Sequence, residues 1–191
     1  MALLEIKLFG CPTLRRKTEP VPEVSAEVKT LTDNMYETMY EAEGIGLAAP
    51  QVGVLQQVLV MDVTPQDPSS TPMVLINPEI LEADGQVSGE EGCLSIPGVA
   101  GDVKRAEHVC IRALDRDGQQ VELTLSGIAA RVAQHEIDHL QGILVTDHFS
   151  VIKRNLLRSQ LRKLKREGTR QTLDLVYAPP RAETSSSRRS R

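Results

Sequence analysis

Apolar residues recur at helical spacing in three stretches of the chain. The first stretch follows Ser25, a residue type that commonly caps helices, and its pattern ends at Gly44. The second follows Ser126 and is apolar around most of its circumference, which predicts a buried helix. The third runs from Ser150 to about Glu167 and is apolar on one side only. The sequence therefore predicts three helices, of which the second lies in the core.

Runs rich in valine, isoleucine and leucine predict strands between these helices. The predicted strands are 54–63, 73–76, 80–83, 107–115 and 119–125. The last two flank Asp117-Gly118, a dipeptide typical of a tight hairpin turn. Separate helices combined with antiparallel strands predict an α+β fold. We expect antiparallel β-sheets packed around the central helix, with an amphipathic helix at the C-terminus.

The composition is typical of one globular domain in water. The chain has 191 residues, of which 40% are hydrophobic and 25% are charged. No apolar run approaches the length of a membrane span, and the N-terminus lacks the pattern of a signal peptide. We therefore predict no membrane partner.

Three cysteines, Cys11, Cys93 and Cys110, are too few to form a disulfide framework, and their number is odd. This usage favours a reducing compartment, so we predict a cytoplasmic protein. A cysteine thiolate could persist there as a metal ligand.

The net charge of −4 conceals two oppositely charged parts. Residues 1–150 contain 10 Lys and Arg against 23 Asp and Glu, a net charge of −13. Residues 151–191 contain 12 Lys and Arg against 3 Asp and Glu, a net charge of +9. The two parts are therefore expected to bind different partners. Segment 168–191 is rich in Pro, Ser and Arg, which predicts a disordered tail after a single domain over residues 1–167.

The predicted central helix contains the pattern His-Glu-x-x-His, formed by His135, Glu136 and His139. Residues four apart lie on one face of a helix, about 6 Å apart along its axis, so the two histidines can bind one metal ion. Glu136 lies beside the first ligand, where it can reach a water molecule on the metal. Buried histidines and a buried carboxylate without partners are unfavourable, which also favours a metal-binding helix.

A catalytic metal site of this kind usually has three protein ligands and one open position. Cys93 lies in the glycine-flanked segment 89–98 and is the first candidate for the third ligand. Cys11, in the extended N-terminal arm predicted for residues 1–24, and Cys110, in a predicted strand, remain alternatives on spacing alone.

Three segments together resemble the signature motifs of the peptide deformylases. They are Gly44–Gln51 (GIGLAAPQ), Glu91–Ser95 (EGCLS) and Gln134–Leu140 (QHEIDHL), in the order and rough spacing of that family. The segment Cys11–Arg15 is also similar to the family. The resemblance covers about residues 3–165. It implies removal of the N-formyl group from the initiator methionine of nascent polypeptides, with release of formate.

The resemblance also implies a set of residues that bind a divalent metal. These ligands are Cys93, His135 and His139. Fe(II) is the implied native ion, and Zn(II), Ni(II) and Co(II) are compatible with the same donors.

The implied catalytic groups are Glu136 as acid and base, with the Gln51 amide and the Leu94 backbone N–H as oxyanion donors. The implied substrate cleft is lined by Gly44, Ile45 and Gly46. Gln51, Gly44 and Gly46 also have plainer interpretations as turn residues.

The basic C-terminal helix is a candidate surface for the ribosome, and a solvated amphipathic helix is the alternative. Two other functions remain open. A zinc metalloprotease shares the His-Glu-x-x-His pattern, and an RNA-binding protein could carry a structural metal. We expect a monomer.

Overall fold

The computed structural model describes residues 2–177, with side chains given for residues 2–171. Its helices are α1 (Ala26–Glu41), α2 (Gly127–Leu140), α3 (Val145–His148), α4 (Val151–Leu156) and α5 (Arg158–Tyr177). Its strands are β1 (Gly46–Ala48), β2 (Val58–Met61), β3 (Met73–Asp84), β4 (Val87–Gly92), β5 (Ala100–Arg105), β6 (His108–Leu114) and β7 (Gln120–Ser126). Short 3₁₀ turns lie at Pro12–Arg15 and Ala49–Val52.

The strands form two antiparallel sheets, which confirms the α+β prediction. The larger sheet has the order β1-β2-β3-β6-β7, and the smaller one pairs β4 with β5. The hairpin predicted around Asp117-Gly118 joins β6 to β7. The β4–β5 hairpin was not predicted, because its glycine-rich sequence lacks the alternation that marks a strand.

Two of the predicted strands, 73–76 and 80–83, are joined in the structure as the single strand β3. The junction is irregular, because the pairing with β6 shifts between Ile76 and Glu79. Asn77 adopts a φ of 52° there, and its side chain bonds both the N–H and the C=O of Val21. A contact 56 residues away in sequence therefore stabilises a turn-like residue inside a strand.

Helices cover both faces of the larger sheet. On one face, Leu59 and Met61 of β2 belong to the apolar cluster that contains α2. On the other face, Val58 and Val60 belong to the cluster that contains α1. Because side chains alternate along a strand, the wholly apolar β2 contributes to both clusters. The central position predicted for α2 is confirmed, since it contacts β1, β2, β6 and β7.

The helix ends agree in part with the sequence signals. Ser25 caps α1, where its side chain accepts a hydrogen bond from the Val28 N–H at 3.5 Å. Ser126 occupies the N-cap position of α2, but its side chain makes no capping hydrogen bond.

The C-terminal helix differs from the prediction in two ways. It is divided at Leu157 into α4 and α5, and α5 continues beyond Glu167 to Tyr177. The boundary predicted at 168 therefore lies inside a helix; residues 178–191 of the predicted tail lie outside the described residues.

Contacts with the N-terminal arm explain this extension. Gly168 is buried against the backbone of Leu8, Phe9 and Cys11. The side chain of Gln171 accepts a hydrogen bond from the Leu8 N–H at 2.8 Å and donates one to the Ile6 carbonyl at 3.0 Å. The polar sequence of α5 gives no local sign of these distant partners.

Among the residues that the structure describes, no helix combines the length and apolar character needed to span a membrane.

Substitution Gly168→Ala is expected to destabilise the protein. A Cβ there would lie 2.5 Å from the Phe9 carbonyl oxygen and 2.8 Å from the Cys11 nitrogen, both backbone atoms. Replacing glycine by alanine inside an exposed helix ordinarily stabilises it by roughly 1 kcal/mol. Here overpacking should reverse the sign and cost about 1–3 kcal/mol in the free energy of unfolding, measured by urea titration. Ser159→Ala, at an exposed position of α5, is the control. Stabilisation by Gly168→Ala would show that α5 is not packed on the arm.

Candidate metal centre

Three side chains from two parts of the chain converge beside α2. Cys93 directly follows β4, and His135 and His139 lie one turn apart on α2. One potential ligand atom from each lies within 4.8 Å of the others, and Cys93 Sγ is 3.2 Å from His139 Nε2. One thiolate and two imidazoles at this spacing can hold a single metal ion.

The other cysteines and histidines do not join this group. Cys11 packs in the cluster beneath β5 and α5, and Cys110 lies in β6. His108 is exposed at the start of β6, and His148 bonds to Asp138 at 2.7 Å. The structure thus separates Cys93 from the two alternatives that sequence spacing left open.

A buried carboxylate orients the first histidine. Glu91 Oε2 lies 3.0 Å from His135 Nδ1. Burial alone would raise the pKa of Glu91, but hydrogen bonds with His135 and Arg105 lower it to about 2. Glu91 is therefore an anion that accepts the Nδ1–H of His135. This bond leaves Nε2 as the atom that can bind a metal.

Two arginines hold Glu91 in turn. Arg105 donates to both oxygens of Glu91 at 3.0 Å, and Arg131 donates to Oε1 at 2.7 Å. Arg105 also donates to Asp138 at 2.6 Å, so Asp138 supports the site from outside the ligand group. The sequence analysis did not identify Arg105 or Arg131, because no local motif signals their contact with Glu91.

The two histidines have opposite electrostatic environments. Burial lowers the pKa of His139 well below its usual value, so its imidazole is neutral, as metal binding requires. Burial also lowers the pKa of His135, but hydrogen bonds with Cys93 and Glu91 raise it well above the usual range. The surroundings of His135 thus favour a positive charge, which a metal ion bound at Nε2 in place of the proton would supply.

Glu136 is a second buried carboxylate with a different environment. It is 4% exposed, and its Oε2 has no hydrogen-bond partner among the described residues. Burial raises its pKa to about 7. Because Glu136 Oε2 is buried without a partner beside three potential metal ligands, it is suited to hydrogen-bond a water molecule or a substrate.

Glycines let strand β1 and its loop approach this centre. A Cβ at Gly46 would collide with Glu136 Oε1 and would lie 2.8 Å from Val132 Cγ1. A Cβ at Gly44 would lie 2.7 Å from Leu94 Cδ1. The glycines therefore make space for these neighbouring side chains.

Gln51 is held in one orientation beside Cys93. Its Oε1 accepts the Ala48 N–H at 2.8 Å. Its Nε2 then faces Ser95 Oγ at 3.2 Å and Cys93 Sγ at 3.6 Å. The backbone N–H of Leu94 donates no hydrogen bond within the described part of the chain. Two hydrogen-bond donors, the Gln51 side-chain amide and the Leu94 N–H, thus lie next to Cys93.

A cavity of about 670 Å³ opens onto these groups. The residues predicted to form the substrate cleft line it together with those of the metal centre: Gly44, Ile45, Gly46, Gln51, Cys93, Leu94, His135 and Glu136. Such an arrangement can bind a small acyl group and deliver water to it.

Residues 3–155 match the family model described as polypeptide deformylase. The chain belongs to the peptide deformylase family. A peptide deformylase from Thermodesulfovibrio yellowstonii is 48% identical over 165 residues, covering 86% of this chain and 100% of the relative.

Solved deformylase structures share the fold. A peptide deformylase from Legionella pneumophila superposes with a TM-score of 0.80 at 41% identity, covering 88% of this chain and 99% of that one. A peptide deformylase from Ehrlichia chaffeensis in complex with actinonin gives a TM-score of 0.81 at 34% identity, covering 87% of this chain and 98% of that one. The deformylase family consists of enzymes that remove the N-formyl group from nascent polypeptides. The family predicted from three motifs is confirmed.

Purified protein is expected to bind one metal ion per chain through Cys93. Cys93→Ala should bring the bound metal well below one per chain after dialysis, because it removes the only thiolate of the group. Cys110→Ala is the matched control and should retain the metal. Elemental analysis of the dialysed proteins measures both, and a full complement of metal in Cys93→Ala would contradict the assignment.

Proposed function

We propose that this chain hydrolyses the N-formyl group of the initiator methionine of nascent polypeptides, using one divalent ion held by Cys93, His135 and His139. The observation that carries the proposal is the position of Glu136. Its carboxylate lies between the two histidines in sequence, is buried and lines the cavity, and one of its oxygens has no hydrogen-bond partner in the described part of the chain. A purely structural metal site needs no such group.

The donor set fits a catalytic ion, because three protein ligands leave one coordination position open. When bound, the ion would polarise the formyl group and supply an activated water near neutral pH. We propose Fe(II) as the native ion on the family resemblance, with Zn(II), Ni(II) or Co(II) able to replace it. Cys/His/His donors suit all four ions.

Glu136 moves the protons of the reaction. Its carboxylate accepts a proton from the attacking water and returns a proton to the amine that leaves the formyl carbon. The amine could not depart as an anion, so this return is required. Burial keeps bulk water away from the carboxylate, and Gly46 allows the strand to lie directly against it.

Gln51 and Leu94 stabilise the negative charge that develops on the formyl oxygen. Gln51 Nε2 points to the side of Cys93, and the Leu94 N–H is available on the next residue. Donors placed before the reaction need no rearrangement as charge develops, and each typically contributes about 2.7–4 kcal/mol.

The peptide portion of the substrate binds along Gly44, Ile45 and Gly46. Strand β1 begins at Gly46 and lies at one edge of the larger sheet, with β2 on its other side. An extended peptide can add to such an edge through backbone hydrogen bonds. This position brings its N-terminus to the metal centre.

Formate release from formyl-Met-Ala-Ser tests this function. Wild-type protein loaded anaerobically with Fe(II) should release formate, and Glu136→Gln should lose about 10²–10⁴-fold in kcat while retaining its metal. Glu122→Gln, an exposed carboxylate on β7, is the control. Formate release by Glu136→Gln at the wild-type rate would contradict the acid–base role.

The alternative functions predict other results in this assay. Cleavage of unformylated peptides by wild type would favour a metalloprotease, and no hydrolysis with the metal bound would favour a binding protein. We also expect actinonin to inhibit formate release, because a relative of similar fold is known in complex with it.

We further propose that the basic residues of α4 and α5 contact ribosomal RNA near the nascent chain. The basic residues exposed on these helices are Arg154, Arg158, Arg162, Lys163, Lys165, Arg166 and Arg170. None of them forms a salt bridge with another described residue. Cations without internal partners are available for phosphates.

Replacing Arg162, Arg166 and Arg170 with glutamine should weaken ribosome binding. Each lost phosphate contact should reduce the slope of log affinity against log salt by about 1, measured by ribosome cosedimentation at several salt concentrations. Substitution is preferable to truncation, because Leu164 of α5 is part of the core. The control is Arg112→Gln, a partly exposed arginine on β6 that pairs with Glu122. Unchanged affinity and slope in the triple variant would exclude this surface.

A monomer in a reducing, cytoplasmic compartment remains our proposal. One chain supplies all three potential ligands. Its three cysteines are too few for a disulfide framework, which favours a reducing compartment.

A further inference from the structure

Ser95 makes a buried hydrogen bond to the side chain of Gln51. Ser95 is fully buried, and its Oγ accepts from Gln51 Nε2 at 3.2 Å. We propose that Ser95 is a positioning residue whose hydroxyl aims the Gln51 amide at the formyl oxygen. This inference rests on the proposed role of Gln51 as an oxyanion donor.

The orientation of the Gln51 amide is determined by its neighbours. The Ala48 N–H is a donor and requires an acceptor, so Oε1 must occupy that side. Rotating the amide by 180° would place two donors together at Ala48 and an oxygen against the Cys93 sulfur. The Nε2 group therefore faces Cys93 and Ser95.

Ser95 engages only one of the two N–H groups on Nε2. The other N–H is directed to Cys93 Sγ at 3.6 Å, the side on which the formyl group would bind. Without the Ser95 hydroxyl, the first N–H would be buried without that acceptor. The amide would then turn toward the Cys93 sulfur, and its donor would be drawn away from the substrate.

Backbone contacts hold Gln51 and Ser95 in place independently of the Ser95 hydroxyl. The Lys7 N–H donates to the Gln51 carbonyl at 2.7 Å, and the Phe9 N–H donates to the Ser95 carbonyl at 2.8 Å. Alternate N–H groups of an extended arm point the same way, so the arm sets the spacing of Gln51 and Ser95. Ser95→Ala should therefore keep the backbone of both residues in place and free only the side-chain amide of Gln51 from its hydrogen bond to Ser95.

A double-mutant cycle tests the proposal with metal-loaded wild type, Ser95→Ala, Gln51→Ala and the double variant, using formyl-Met-Ala-Ser. Ser95→Ala should lower kcat about tenfold, part of the effect of removing an oxyanion donor, with KM nearly unchanged. In the Gln51→Ala background the same substitution should have no further effect, because its target is absent.

A second measurement does not depend on activity. In the Zn-loaded protein, hydrogen exchange of the Gln51 side-chain amide, followed by NMR, should accelerate in Ser95→Ala. Thr32→Ala is the control, since Thr32 also carries a buried hydroxyl but bonds within α1. It should leave both kcat and the Gln51 amide unchanged.

The outcomes separate this inference from the proposed function. The role of Ser95 would be overturned if Ser95→Ala left kcat or the exchange rate of the Gln51 amide unchanged. It would also be overturned if Ser95→Ala lowered kcat equally in the wild-type and Gln51→Ala backgrounds. If wild type releases no formate, the proposed function fails and the catalytic role of Ser95 fails with it. Amide exchange would still report whether the Ser95–Gln51 bond exists.

Discussion

The buried carboxylate of Glu91 joins the three parts of the chain on which the metal centre depends. It lies near the end of strand β4, which leads to Cys93, accepts a hydrogen bond from His135 on α2, and binds Arg105 on β5. The side chains of Glu91 and Arg105 are each only 5% exposed, so neither charge is solvated by bulk water. Removing one member of such a buried pair typically costs about 3–5 kcal/mol, because the other is left uncompensated. Loss of the Glu91 carboxylate would therefore weaken the fold and release the His135 ring together.

Close packing of α2 against β1 is the second constraint on the site. The helix brings Glu136 so near the strand that Gly46 has no space for a side chain. The strand stays at the sheet edge and lines the cavity, so the proposed catalytic carboxylate and the proposed peptide site share one wall. The chemistry thus follows from helix–sheet packing together with the ligand positions.

The sequence was informative where function depends on local spacing. The His135–His139 pair is a property of one helix turn, and the three motifs identified the family. It was uninformative where partners are distant in sequence. Nothing local connects Glu91 with Arg105, or Gln171 with Leu8, so the support of His135 and the full length of α5 were missed. Without the resemblance, the sequence favoured Cys93 over Cys11 and Cys110 as the third ligand only modestly.

X-ray absorption at the metal edge tests the central claim most directly, because it counts the ligand types around the bound ion. For the Zn-loaded protein we predict one sulfur at about 2.3 Å, two imidazole nitrogens at about 2.0–2.1 Å, and one further light atom from solvent. Formate or actinonin should change only that light-atom shell. A spectrum without sulfur, or one with four protein ligands that small molecules do not alter, would contradict an open Cys93–His135–His139 site.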